Sequence, residues 1–253
     1  MDEAVWVVIP TYNEAPTIER IVRATTTELE RLAPGRHRIL IVDDNSPDGT
    51  GAMADSLARE LGVVEVLHRT EKSGLGHAYL AGFALALDHG ADLIIEMDAD
   101  FSHDPRYLGG LLEAARSADL VLGSRYIRGG GVRNWGLLRK VVSRGGSFYA
   151  RTILRIDVHD LTGGFKCIHR RVLEAIELPS VRAEGYVFQI EVTYRAILAG
   201  FTVVEIPIVF SDRTVGTSKM SARIAVEAML MVPSLRRTAS AALLHADRSL
   251  EPS

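Results

Sequence analysis

The chain has 253 residues, 47% hydrophobic and 24% charged, which suits one large domain with its own core and excludes a disordered or collagen-like chain. A single cysteine, Cys167, excludes an intramolecular disulfide and fits a reducing compartment. The formal charge of −3 is uninformative as a whole, the acidic start Met1-Asp2-Glu3 is unlike a secretory leader, and no apolar run reaches the roughly 18 residues of a spanning helix.

Strand-like and helix-like segments alternate through the first half. Val5–Ile9, Ile39–Val42, Val63–Leu67, Leu93–Met97 and Leu120–Gly123 are short apolar runs that read as buried strands. Amphipathic stretches near 14–33, 50–61, 76–88 and 105–117 read as helices between them. Phe165–Ile168 and Thr202–Ile206 read as later strands, and 186–199 as a helix. This alternation predicts an α/β fold with a mostly parallel sheet. Even the apolar stretch Ile224 to Leu235 carries Glu227 and Pro233, so no membrane-spanning segment is expected.

Polar clusters follow the strands where an open α/β sheet binds its ligands. Pro10-Thr11-Tyr12-Asn13-Glu14 follows the first strand, and Asp43-Asp44-Asn45-Ser46-Pro47-Asp48-Gly49-Thr50 the second. Asp98-Ala99-Asp100 follows the fourth and Gly123-Ser124-Arg125-Tyr126 the fifth. Asp98 and Asp100 flank one small residue, so an extended backbone points both carboxylates to one side. Two hard oxygen ligands suit Mg²⁺ or Mn²⁺, which share their shell with water and phosphate; the competing reading is a solvated loop before a helix starting at Asp104-Pro105. Asp44 suits ribose hydroxyls or a base N–H, whereas Ser46, Asp48 and Gly49 read as turn and cap chemistry. Lys72-Ser73-Gly74-Leu75-Gly76-His77 is a glycine-bearing loop before a helix and matches no standard phosphate-binding pattern.

Charge is unevenly distributed. Residues 1–122 hold 10 Lys/Arg and 21 Asp/Glu, net −11; residues 123–171 hold 11 and 2, net +9; the remainder holds 8 and 9, net −1. In the basic block Arg133, Lys140, Arg144, Arg151 and Arg155 recur at helical steps, as do Trp135, Leu138, Val142, Tyr149 and Ile153 on the opposite face. Gly145-Gly146 is expected to break this stretch into two helices. A basic amphipathic helix suits an anionic membrane surface, or packs its apolar face on the sheet. Nucleic acid is not expected as a partner, because the block has no binding motif and the acidic half would repel it.

These words, in this order, resemble the polyprenyl-phosphate (dolichyl-phosphate) mannose synthases of glycosyltransferase family 2. The more specific matches are Asn-Trp-Gly-Leu-Leu-Arg at 134–139, Asp-Leu-Thr-Gly-Gly-Phe-Lys at 160–166 and Arg-Thr-Val-Gly-Thr-Ser-Lys-Met at 213–220. The resemblance implies a GT-A (Rossmann-like) nucleotide-sugar transferase fold, with a mostly parallel mixed sheet and amphipathic surface helices. It implies transfer of mannose from GDP-mannose to a polyprenyl phosphate with inversion, dependent on Mg²⁺ or Mn²⁺. Donor contacts would come from Pro10, Tyr12, Glu14, Val42, Asp44, Asp98, Ala99, Asp100, Arg125, Arg213 and Lys219. Asp98, Asp100 and Arg125 would carry catalysis, and Asp98 and Asp100 would hold the metal. Ser102 stands where some relatives place a glutamine ligand, so water would help complete the shell. Ser124, Arg133, Arg139, Lys140 and Arg144 would face the acceptor, and Trp135, Leu138 and Val142 its polyprenyl tail.

The expected organisation is a catalytic domain over 1–218, including a basic acceptor- and membrane-facing segment at 133–156, then a C-terminal amphipathic helix and tail over 219–253. Some relatives carry membrane helices after the catalytic domain. Here attachment is expected to be peripheral, on the cytoplasmic face of a membrane, or supplied by an anchoring partner or domain. A relative using UDP-glucose, and a non-catalytic nucleotide-binding subunit, are the alternatives.

Overall fold

The computed structural model describes residues 3–181, 185–211 and 231–237. The first half runs β1 (Val5–Thr11), α1 (Ile18–Leu32), β2 (His37–Asp43), α2 (Thr50–Leu61), β3 (Val64–His68), α3 (Leu75–Asp88), β4 (Leu93–Glu96), α4 (Leu108–Ala114) and β5 (Leu120–Ser124). It continues through β6 (Gly131–Arg133), α5 (Leu137–Leu154), β7 (Lys166–His169), α6 (Arg170–Ala175), α7 (Gly185–Leu198), β8 (Val203–Pro207) and β9 (Val209–Ser211).

Seven strands form one sheet in the order β3-β2-β1-β4-β7-β5-β8, and β6 pairs with β9 in a separate parallel ribbon. All neighbours in the large sheet are parallel except β7, which runs antiparallel to both β4 and β5. This is the expected mostly parallel, mixed α/β sheet. Its central strands are apolar on both faces because helices cover both. On β1, Trp6 and Val8 face a core with Tyr79 and Phe83 of α3 and Phe188 of α7. Val5, Val7 and Ile9 face the opposite core, with Ile18 and Val22 of α1 and Leu108 and Leu111 of α4.

The basic segment departs from expectation. Gly145 and Gly146 do not divide it: α5 runs unbroken from Leu137 to Leu154. Each glycine costs about 1 kcal/mol relative to alanine, and burial on the inner face offsets that cost. The inner face is Ser143, Ser147, Ala150 and Leu154, while Tyr149 and Ile153 pack half-buried at its margin. Of the anticipated apolar face, Trp135 is buried and Val142 is 38% exposed. The outward face instead shows Leu137, Val141 and Phe148, at 82%, 67% and 70% exposure. Arg213, Lys219 and most of 219–253 lie outside the described residues; 231–237 is helical, with Val232 buried and Arg236 donating to the Ile153 carbonyl at 2.9 Å.

α3 lies unusually close to the sheet at Gly82. A Cβ there would stand 2.5 Å from Val8 Cγ1 and 3.0 Å from Val42 Cγ2. Gly82→Ala is therefore expected to lift α3 and destabilise the fold by about 1–3 kcal/mol, measured as a lower urea midpoint with an unchanged slope.

Candidate active site

The parallel strands β1, β2 and β4 end at one edge, and the cavity opens there. β4 leads into Met97-Asp98-Ala99-Asp100, and both carboxylate residues line the cavity. Phe101 turns the chain with φ +63°, and Asp100 Oδ1 accepts the Ser102 N–H at 2.9 Å. His103 Nδ1 accepts the Asp98 N–H at 3.0 Å, and its ring stacks on Phe165 at 4.8 Å. Burial holds the His103 imidazole below its ordinary pKa, which matches a neutral ring with a lone pair on Nδ1. Among the described residues no third His, Cys, Asp or Glu joins the carboxylates as a metal cluster. Two carboxylates, with the Ser102 hydroxyl close in sequence, still fit Mg²⁺ or Mn²⁺, because such ions take one or two carboxylates and fill their shell with water and phosphate oxygens.

Pro10, Tyr12, Glu14 and Asp44 line the β1–β2 side of the cavity. The turn after β2 fastens the loop after β1: Ser46 Oγ accepts the Asn13 N–H at 3.1 Å, Thr50 Oγ1 the Glu14 N–H at 2.9 Å, and Asp48 Oδ2 the Ala15 N–H at 3.1 Å. Asp44 is oriented by Arg69, whose Nη1 donates to Oδ1 at 2.5 Å while Nη2 donates to Ser73 Oγ at 2.6 Å. Lys72 sits 3.9 Å above the Tyr12 ring. A carboxylate beside an aromatic ring and two cations is suited to a sugar-bearing nucleotide.

The opposite wall is cationic and aromatic. Arg125 is buried against Asp160, which takes Nε and Nη2 at 2.6 Å each and also the Arg125 backbone N–H at 2.9 Å. Nη2 also donates to Thr162 Oγ1 at 2.9 Å. The guanidinium faces Trp135 and Phe210, and Arg139 stacks 4.1 Å over the Trp135 ring. Ser143 lines the cavity and accepts from the Tyr126 hydroxyl at 2.6 Å. Behind this wall, Glu96 and Lys166 face each other across the β4–β7 register. Burial pushes the Glu96 carboxyl up and the Lys166 ammonium down from their ordinary values, each partly held back by the opposite charge of the other.

A family model described as glycosyl transferase family 2 matches residues 6–177. The chain belongs to glycosyl transferase family 2. It is 50% identical over 228 residues to a polyprenol monophosphomannose synthase of Mycolicibacterium smegmatis, covering 89% of this chain and 84% of that protein. It is 46% identical over 225 residues to an undecaprenyl-phosphate mannosyltransferase of Micrococcus luteus, covering 89% and 90%. Among solved structures it resembles the mannosyltransferase PcManGT of Pyrobaculum calidifontis in complex with GDP-Man and Mn²⁺, with a TM-score of 0.58 at 18% identity, covering all of this chain and 77% of that one. The family assignment agrees with the GT-A architecture of the sheet.

Of the residues singled out in the sequence, Pro10, Tyr12, Glu14, Asp44, Asp98, Ala99, Asp100, Ser102, Arg125 and Arg139 share the cavity wall. Val42 is fully buried in the core and Ser124 is buried behind the wall, where its hydroxyl accepts the Tyr126 N–H at 3.4 Å. Arg133, Lys140 and Arg144 are exposed and stand outside the lining, although Arg144 lies 6.0 Å from the Tyr126 ring. Arg69, Lys72, His103, Ser143, Asp160, Gln189 and Phe210 were not anticipated as site residues. Lys72, His103 and Asp160 lie inside recognised sequence words, and that was their only signal. Removing one member of a buried ion pair leaves the other uncompensated. Asp160→Ala is expected to cost about 3–5 kcal/mol in chemical denaturation, with Arg125→Met added to Asp160→Leu losing less than Asp160→Ala alone.

Proposed function

We propose that this chain transfers mannose from GDP-mannose to a polyprenyl phosphate, inverting the anomeric carbon. The observation that carries the reading is one cavity in which a carboxylate pair at the end of β4 faces a wall containing Arg125, Trp135, Arg139 and Ser143. The names of the 46% and 50% identical relatives support the acceptor and the sugar. The neighbouring mannosyltransferase complex supports GDP-mannose and a divalent metal.

An oxygen of the acceptor phosphate attacks the anomeric carbon. The bond from that carbon to the diphosphate oxygen breaks, and GDP leaves with the electron pair. A phosphate monoester has a second pKa of about 6, so it is largely ionised at neutral pH and needs no strong general base. Bringing two anions together is the harder task. Arg139 and the exposed Arg133, Lys140 and Arg144 neutralise the acceptor side, with Ser143 beside them, and Arg125, Arg213 and Lys219 are assigned to the donor phosphates, Arg125 being held in place by Asp160. Tyr12 and Asp44 hold the nucleoside with Pro10 and Glu14. Asp98 and Asp100, with Ser102, would hold Mg²⁺ or Mn²⁺, which neutralises the charge growing on the leaving diphosphate. Residues 1–218 act as one catalytic unit, and 219–253 as a C-terminal helix and tail.

Among the described residues no helix is long and apolar enough to cross a membrane. The outward face of α5 pairs Leu137, Val141 and Phe148 with Lys140 and Arg144, a pattern suited to lying on an anionic bilayer. We assign it to peripheral attachment on the cytoplasmic face, where the polyprenyl phosphate is embedded.

A matrix of GDP-mannose and UDP-glucose against polyprenyl phosphate, with and without Mg²⁺ or Mn²⁺, tests the function. Product is expected only with GDP-mannose, acceptor and metal together, and chelation abolishes it. Asp100→Ala is expected to lower turnover by about 10²-fold or more with an unchanged melting temperature; full activity in that variant overturns the metal assignment. Cosedimentation with anionic vesicles is expected to weaken as salt rises, because screening shortens the reach of the α5 cations; salt-insensitive binding overturns the role of α5.

A further inference from the structure

A carboxylate on the edge strand stands outside the cavity and is used by none of the roles above. β8 reads Val203-Val204-Glu205-Ile206-Pro207. Side chains alternate along a strand: Val204 and Ile206 pack against the core that holds α1 and α4, so Glu205 shares the opposite face with Val203. The Glu205 side chain is only 9% exposed, and a carboxylate so placed needs partners. They come from the chain just past α5. Oε2 accepts the His159 backbone N–H at 2.8 Å and meets His159 Nδ1 at 2.9 Å, and Oε1 accepts the Asp160 N–H at 2.9 Å. Successive backbone N–H groups turned to one side hold an anion well, and here the anion belongs to a distant strand.

The segment that Glu205 holds is the one that holds Arg125. Asp160 Oδ2 takes the Arg125 Nε and backbone N–H, and Oδ1 takes Nη2. Asp160 has no exposed surface, so its own N–H depends on Glu205 for an acceptor, and a buried donor left unmade opposes the conformation that buries it. The sheet closes the circuit. Glu205 pairs with Leu122 in the β5–β8 register, and β5 ends at Ser124, one residue before Arg125. Strand pairing therefore fixes Glu205 relative to the start of the Arg125 turn, and Glu205 fixes Asp160 relative to both.

We infer that Glu205 is a positioning residue of the donor site: it pins the backbone at Asp160 and, through Asp160, holds the Arg125 guanidinium at the cavity wall. The inference rests on the mannosyltransferase reading for the assignment of Arg125 to the donor phosphates. A guanidinium serves a leaving diphosphate only from a fixed place, because a misplaced charge loses the advantage of preorganisation. Arg125 touches the cavity, whereas Glu205 acts at two removes from it. Its effect should therefore pass entirely through Arg125 and leave the acceptor side alone. A role in general stability would instead weaken both sides together and would persist when Arg125 is gone.

The test uses the full chain, GDP with Mn²⁺ as the probe, and Glu205→Gln, which keeps the shape but replaces one acceptor oxygen with an NH₂ group. Three quantities are read: exchange of the Arg125 Nε–H by NMR, GDP affinity by titration, and acceptor KM. Glu205→Gln is expected to speed the Arg125 exchange and to weaken GDP binding, each by about 10-fold, with acceptor KM unchanged. In an Arg125→Met background the same substitution is expected to weaken GDP binding no further, because both changes act on one unit. Unchanged exchange and GDP affinity in Glu205→Gln, a full second loss in the Arg125→Met background, or an equal rise in acceptor KM would each overturn the inference. Should Glu205→Gln fail to fold, the substitution is placed on Arg125→Met with Asp160→Leu. Recovery of folding there supports a role through the ion pair, and continued unfolding overturns it. Absence of mannose transfer by the unsubstituted protein overturns the functional reading instead, and the Arg125 exchange then still decides whether Glu205 holds the pair.

Discussion

Arg125 carries a full charge into a wall where it is only 7% exposed, and Asp160, fully buried, receives it through two side-chain hydrogen bonds. Neither residue could occupy that position without the other, because an isolated buried charge costs several kcal/mol. The pair joins two distant pieces of chain, the end of β5 and the stretch before β7. Around it stand Trp135, Phe210 and Tyr126, which contribute ring faces to the guanidinium. The cationic half of the cavity therefore has its shape set by one electrostatic requirement, and Thr162, Gly163 and Gly164 take their places because Asp160 is held.

The carboxylate half rests on a different constraint. Three parallel strands end together, so their following loops converge whatever their sequences. Local turn chemistry then does the fine placement: Ser46, Asp48 and Thr50 hold the loop after β1, and His103 holds the backbone at Asp98. The two halves meet over Glu96, Lys166 and Gln189. A polar group buried beneath a binding site makes a stiff floor, since moving any member exposes the others to an unsatisfied neighbour.

What was legible in the sequence follows this division. β1, β2 and β4 are runs of Val, Ile and Leu that no helix period explains, and the residues after them are polar; strand, edge and candidate ligands could be read together. Tyr12, Asp44, Asp98 and Asp100 accordingly fall on one cavity. The cationic side was harder. Asp160 lies 35 residues from Arg125 and Lys166 lies 23 from Gln189, and no local pattern reveals such pairings. Within α5, periodicity could identify a helix but not which stripe faces inward. Small residues Ser143, Ser147 and Ala150 took the inner face, leaving Leu137, Val141 and Phe148 outside, and the glycine pair was absorbed because the helix on both sides is held by packing.

The reversed direction of β7 makes the excursion between β5 and β7 a single long hairpin. The chain leaves the sheet after Ser124 and returns at Lys166 to pair with Leu122, and the Gly123 N–H meets the Phe165 carbonyl at 2.8 Å as the loop closes. The part of the cationic wall before Phe165, including α5, is therefore contained in one loop whose two ends are neighbours, and it is tied to the later chain by the β6–β9 ribbon and by Glu205, which accepts the His159 and Asp160 N–H groups. The entropy of closing such a loop rises by only about 0.6 kcal/mol for each doubling of its length. The carboxylate half has its own strands and turns, and the loop after β1 is fastened by Ser46, Asp48 and Thr50 rather than by that excursion. A long insertion between these two adjacent strands is therefore compatible with the sheet at little entropic cost.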